Sequence, residues 1–139
     1  MTYLIEGVHA AGKSTYANSL GLPVENHAYA DEQEIKDAVN IPDIAYDRLF
    51  GLAICNRVMS GDYSYIFIIK ELNEYFKTLP NLKCLMFICD REKGWERQQQ
   101  KTSIQMTRKQ YDDDYNKMVW LFNLMDCFEI VNIDAMSEE

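Results

Sequence analysis

The stretch Gly7-Val8-His9-Ala10-Ala11-Gly12-Lys13-Ser14 matches the pattern G-x-x-x-x-G-K-[ST] in full. Its glycines let the backbone turn tightly, so that N–H groups point inward at an anion, and the dipole of a following helix reinforces them. Lys13 then reaches the β- and γ-phosphates as a point charge, and Ser14 offers a hydroxyl to Mg²⁺. Residues 7–15 are therefore expected to hold the phosphates of a nucleotide. His9 sits inside the loop, where its ring either faces an acceptor or simply fills space.

Phosphoryl transfer needs more than a loop. It needs a second carboxylate near the metal, basic groups on the moving phosphate, and a residue that orients the acceptor oxygen. Asp47-Arg48 follows an extended run, and a carboxylate at a strand's carboxyl end faces the ligand crevice of a parallel sheet. The adjacent arginine suits an acceptor phosphate or hydroxyl. Glu25 ends a second extended run and could accept a proton from an acceptor hydroxyl. Asp90 reads equally as a metal carboxylate or a helix N-cap. Arg91, Arg97, Lys101 and Arg108 form the dense basic stretch of an acidic chain, with few apolar neighbours. That composition predicts a lid over about 91–108, with Arg97 and Lys101 one helical turn apart. Asp112, Asp113 and Asp114 read as a solvated helix start. Tyr63, Tyr65, Phe67 and Phe50 could stack on a base, although rings of this kind usually belong to core or rim.

The elements that must position these groups alternate. Residues 2–6 (TYLIE) predict a strand that meets Gly7, and residues 13–20 a helix stopped by Gly21. Residues 22–27 predict a second strand, 31–39 a helix with acidic residues in its first turn, and 41–46 a third strand. Residues 48–59 predict a mostly buried helix. Residues 65–79 open on YIFII, which has strand composition, yet the spacing of Ile68, Ile69, Leu72, Tyr75, Phe76 and Leu79 predicts a helix. Residues 82–89 (LKCLMFIC) form the strongest strand signal. Residues 91–101 read as a solvated helix or a mobile segment. Thr107 is a good N-cap for a helix with Tyr111, Tyr115, Met118, Phe122 and Met125 on one face, and 128–133 close the pattern as a strand. Residues 136–139 read as a frayed tail. Such alternation implies a parallel sheet covered by helices on both faces.

The 139 residues suit one domain. A net charge of −8 argues against a non-specific nucleic-acid binder, which needs a basic field. No apolar run reaches the ~18 residues of a membrane helix, and the N-terminus lacks a basic flank, so a cytoplasmic protein is expected. Cys55, Cys84, Cys89 and Cys127 form no C-x-x-C pair and read as reduced, mostly buried thiols.

Ile5-Glu6-Gly7 followed by Ala10-Ala11-Gly12-Lys13-Ser14-Thr15 resembles the first motif of deoxynucleoside kinases and of thymidylate kinases. Asp47-Arg48 is similar to the aspartate-arginine motif of thymidylate kinases and the glutamate-arginine motif of deoxynucleoside kinases. The basic segment 91–108 resembles the lid of both, and Ile133-Asp134 after a strand also fits. The resemblance implies an α/β P-loop kinase-type three-layer sandwich over 1–139, with a five-stranded parallel sheet of order 2-3-1-4-5 and helices on both faces. It implies ATP and Mg²⁺ as cofactors and a (deoxy)nucleoside or its monophosphate as acceptor. Gly7, His9, Ala10, Ala11, Gly12, Lys13, Ser14, Thr15, Arg97 and Lys101 would hold the nucleotide, with Ser14 and Asp47 on the metal. Lys13, Arg48 and Arg97 would stabilise the transferring phosphoryl, and Asp47 or Glu25 would orient the acceptor. A homodimer is common in these families. The branches divide on single residues. Thymidylate kinases usually carry a carboxylate where this chain has His9, Ala10-Ala11 looks like the deoxynucleoside branch, Glu25 loosely matches that branch's base, and Asp47 looks like the thymidylate branch. Both families are usually longer, which implies a shortened base-binding segment between the second and third strands or in the lid. Two other readings are a nucleotide-binding switch without transfer and a kinase acting on a polynucleotide.

Overall fold

The computed structural model describes residues 1–101 and 106–134. The expected frayed tail at 136–139 and the stretch of the lid between Lys101 and Met106 lie outside them. Strand β1 (Thr2–Gly7) runs through the centre of the sheet, flanked by β3 (Ala45–Asp47) and β4 (Leu82–Ile88). The edges are β2 (Val24–Glu25) and β5 (Glu129–Asn132), giving the order β2-β3-β1-β4-β5, parallel throughout. The helices are α1 (Lys13–Ser19), α2 (Glu32–Val39), α3 (Gly51–Met59), α4 (Tyr65–Lys77), α5 (Arg91–Gln99) and α6 (Arg108–Leu124). No helix among the described residues is long and apolar enough to cross a membrane.

Successive residues of a strand point to opposite faces. Leu4, Ile5 and Glu6 of β1 are all buried, as are Cys84, Leu85, Met86 and Phe87 of β4, so both faces of the sheet are covered. Phe87 meets Tyr16 of α1 on one face. On the other, Tyr46 donates to the Ala38 carbonyl of α2 at 2.8 Å and Glu6 meets the start of α3. The register Ile5↔Asp47 and Gly7↔Phe87 puts the carboxyl ends of the three central strands on one side of the sheet, with Asp47 two residues short of the level of Gly7.

Several elements differ in extent from their sequence patterns for identifiable reasons. The second strand contracts from 22–27 to two exposed residues, because an edge strand pairs on one side only. The third starts at Ala45 rather than Ile41, since Pro42 and Asp43, the latter at φ 56°, turn the chain. Helix α3 starts at Gly51 rather than Arg48, whose φ of 73° lies outside the helical region. The YIFII segment is helical: Ile69, Leu72 and Phe76 bury one face, and period outweighs strand composition. Residues 91–99 form a helix capped by Asp90, which accepts from the Lys93 amide at 3.1 Å. Thr107 and Gln110 form a reciprocal capping box at the start of α6.

Candidate active site

The loop between β1 and α1 turns on backbone that side chains resist. At Gly7 (φ 150°) a Cβ would lie 2.1 Å from the Phe87 carbonyl oxygen, so only glycine lets β1 run this close to β4. Ala10 (φ 58°) and Gly12 (φ 88°) complete the turn into α1. Lys13, 5% exposed, folds back and donates to the Val8 carbonyl. Burial, with the Arg48 charge nearby, pulls its ammonium down to about 7.

The end of β3 completes the centre. Ser14 Oγ donates to Asp47 Oδ2 at 2.5 Å, which joins the loop hydroxyl and the strand-end carboxylate that the sequence pairs only by inference. Arg48 follows in left-handed backbone, with its amide on the Ile5 carbonyl at 2.9 Å and its carbonyl accepting from His27 at 3.0 Å. Its guanidinium donates to His9 Nδ1 at 2.6 Å, and His9 Nε2 lies 2.7 Å from Asp114 Oδ2 on α6. Burial pulls the His9 pKa below its ordinary value, against the raising effect of Asp114.

The attitude of this corner is set from below by Glu6. Its Oε2 accepts from the amides of Leu49, Phe50 and Gly51 at 2.9–3.0 Å, which satisfies the donors at the start of α3 with a carboxylate only 1% exposed. Gly51 allows the approach, since a Cβ there would sit 2.9 Å from Glu6 Oε1. In the sequence, Glu6 stands out only as part of the Ile5-Glu6-Gly7 motif. The available signal was its charge inside a strand buried on both faces, where an ionised group must be bonded.

Helix α5 closes one side. Arg97 Nε donates to the Ala10 carbonyl at 2.8 Å and Nη1 to Asp134 Oδ1 at 3.2 Å, while its buried Nη2 has no partner among the described residues. A cleft of about 420 Å³ results, lined by residues 10–15 of the loop with Asn26, Asp47, Arg48, Arg97 and Lys101. Gly7 and His9 do not line it. Of the expected basic lid, Arg97 and Lys101 reach the cleft. Arg91 and Arg108 instead pair with Asp112 at 3.2 and 3.0 Å, and Arg108 also binds Glu92 and covers Trp95.

Several expectations change accordingly. Asp112 and Asp114 are not a solvated helix start, because Asp112 holds two arginines and Asp114 holds His9; Asp113 alone is exposed. Asp90 is a helix cap. Glu25 is not brought to the loop: it pairs with His27 at 3.1 Å and lines a second cleft of about 260 Å³ with Tyr29, Asp37 and Tyr46. Asn26, one residue on, enters the first cleft. Phe50 belongs to the core, Tyr63 and Phe67 are 68% and 73% exposed, and none of these, nor Tyr65, lines the cleft.

No protein-family model matches the chain, and no curated protein matches it in sequence. Its architecture does have counterparts. The YorR protein of Bacillus subtilis, solved in complex with phosphorylated GDP, superposes with a TM-score of 0.65 at 12% identity, covering 95% of this chain and 84% of that one. Deoxyadenosine kinase from M. mycoides with bound dCTP superposes at 0.58 with 13% identity, covering 96% and 91%. The same kinase with bound dATP gives 0.56 at 15% identity. The fold is P-loop deoxynucleoside/nucleotide kinase-like. Within that P-loop kinase-like fold, the cleft beneath the loop lies at the carboxyl ends of the parallel strands, where open α/β sheets bind ligands.

Proposed function

We propose that this chain is an ATP-dependent kinase that transfers the γ-phosphoryl group to a (deoxy)nucleoside or (deoxy)nucleoside monophosphate. The observation that carries the reading is the convergence of Lys13, the Ser14–Asp47 pair and Arg48 in one cleft. Two features suit a polyphosphate there: a buried ammonium turned onto a carbonyl, and a buried guanidinium nitrogen without an acceptor among the described residues. Ser14 and Asp47 are hard oxygen donors suited to Mg²⁺. Mg-ATP supplies the transferable phosphoryl group.

The chain's own groups do the rest. The loop and the start of α1 present amides to the phosphates, and Lys13 leaves the Val8 carbonyl to meet them. Arg48 and Arg97 stabilise charge on the transferring oxygens. Asp47 orients the acceptor hydroxyl, and little base strength is needed, because the transition state of phosphoryl transfer is loose. Lys101 and α5 exclude water from the cleft.

Incubation with γ-labelled ATP and a panel of nucleosides and monophosphates tests this. Multiple-turnover labelling of one acceptor is expected, with Lys13→Ala at least about 100-fold slower. No labelled product with any acceptor contradicts it. A second reading, a nucleotide-binding module without transfer, draws on the position of Glu25 outside the first cleft. It predicts tight nucleotide binding and no turnover across the same panel.

A further inference from the structure

Position 9 of the loop does not line the cleft, yet its side chain is bonded into two other elements. His9 is 9% exposed and bonded at both ring nitrogens. Arg48 is always protonated and has only donors, so the ring nitrogen it meets must carry a lone pair. Nδ1 is therefore bare, and the ring proton resides on Nε2, where Asp114 accepts it. Chemistry thus fixes both the tautomer and the orientation of the ring.

Arg48 is also the residue that most needs holding. Its φ of 73° is strained for an arginine, a state that persists only where the surroundings over-determine it. Its backbone is held by Ile5 and His27, and its head by His9. The Asp114 end of the chain comes from α6, 105 residues away in sequence from His9.

We propose that His9 is a positioning residue for phosphoryl transfer, an Nε2–H imidazole that fixes the Arg48 guanidinium at the cleft wall while Asp114 of α6 fixes the imidazole. This rests on the kinase reading above. Protonation of the ring puts an N–H against the guanidinium and breaks the contact. The charged groups facing His9 are Arg48 at the end of β3, Lys13 at the start of α1 and Asp114 on α6, the last paired with Lys117 at 3.8 Å. The Cys89 thiol beyond β4 faces its carbonyl at 4.0 Å. Arg48, Lys13 and burial disfavour the charged ring, and Asp114 favours it. Positioning is therefore complete at neutral pH and lost on acidification.

The experiment combines kinetics with the ¹⁵N spectrum of the histidine. In the wild type, two-bond correlations at neutral pH show the Nε2–H tautomer, and kcat falls on the acid side as one group is protonated. His9→Asn places an amide oxygen where Nδ1 was and still accepts from Arg48. His9→Gln reaches toward Asp114 and leaves Arg48 without its acceptor. His9→Gln and His9→Ala lower kcat by about tenfold to a hundredfold, the upper figure being the cost of a group displaced by about an ångström. His9→Asn recovers part of that loss and lacks the acid limb. Asp114→Asn moves the acid limb to lower pH, because the charge favouring the imidazolium is gone. An Nδ1–H tautomer, an acid limb that persists in His9→Asn, or equal activity of the Asn and Gln variants overturns the proposal in an active enzyme. A wild type that labels no acceptor overturns the kinase reading itself, and the role in transfer with it.

Discussion

The carboxyl ends of β1 and β3 and the edge of the sheet at β2 both carry carboxylates, but under opposite conditions. Glu6 and Asp47 are buried, and each is bonded by groups fixed in the backbone or the loop. Glu25 stands on a two-residue strand exposed on both sides, paired with a histidine at the surface. A surface pair of that kind contributes about 0–1 kcal/mol and holds no fixed geometry. Charge can be aimed only where the core fixes the backbone beneath it. The groups proposed to handle phosphate are built into the core, whereas the sheet edge at β2 is thin.

The contrast makes predictions of decreasing size. Glu6→Ala strands three amides at the start of α3 and should cost about 3 kcal/mol or more of folding stability. Glu6→Gln, which keeps an acceptor, should cost less. Urea unfolding of both variants measures this, and equal costs would mean that the charge and its bonds do not set the start of α3. Arg97→Ala removes a side chain that reaches the cleft from α5 and should lower kcat/KM for ATP about tenfold, checked by steady-state kinetics. An unchanged value would confine the site to β1 and β3. The smallest effect is on acid stability. Unfolded His9 takes up a proton near its ordinary pKa of 6.5, whereas the folded ring does so only at lower pH. The unfolded state then binds more protons, so this contribution to stability falls as the pH drops below about 6.5. Unfolding midpoints of wild type and His9→Asn across pH 5–8 should diverge on the acid side by a slope of at most one proton.

Much of this centre was legible in the sequence. The loop is a contiguous pattern, and Asp47-Arg48 follows a run whose end must face the ligand crevice. The helix over 65–77 was legible because period decides where composition misleads. The groups that hold the centre in place were not. Asp114 reaches His9 across 105 residues, and Glu6 reaches the start of α3 across 43 to 45. Local patterns report which residues share a face, not which distant termini meet. Asp112 and Asp114 carry the pattern of solvent-exposed charge for the same reason: Arg91 and His9 reach them from other elements, and only Arg108, one turn away on α6, is a local partner. The second strand is shorter than its 22–27 pattern because a local extended pattern carries no sign that it lies at an edge, where pairing is one-sided.

The central claim is that transfer chemistry resides at the ends of β1 and β3 and not at β2. Asp47→Asn and Glu25→Gln, assayed side by side for γ-phosphoryl transfer to the acceptor the panel identifies, test it most directly. The account predicts at least about 100-fold loss of kcat/KM for Asp47→Asn and less than about threefold for Glu25→Gln. A Glu25→Gln loss as large as that of Asp47→Asn would contradict it and place the acceptor at the sheet edge.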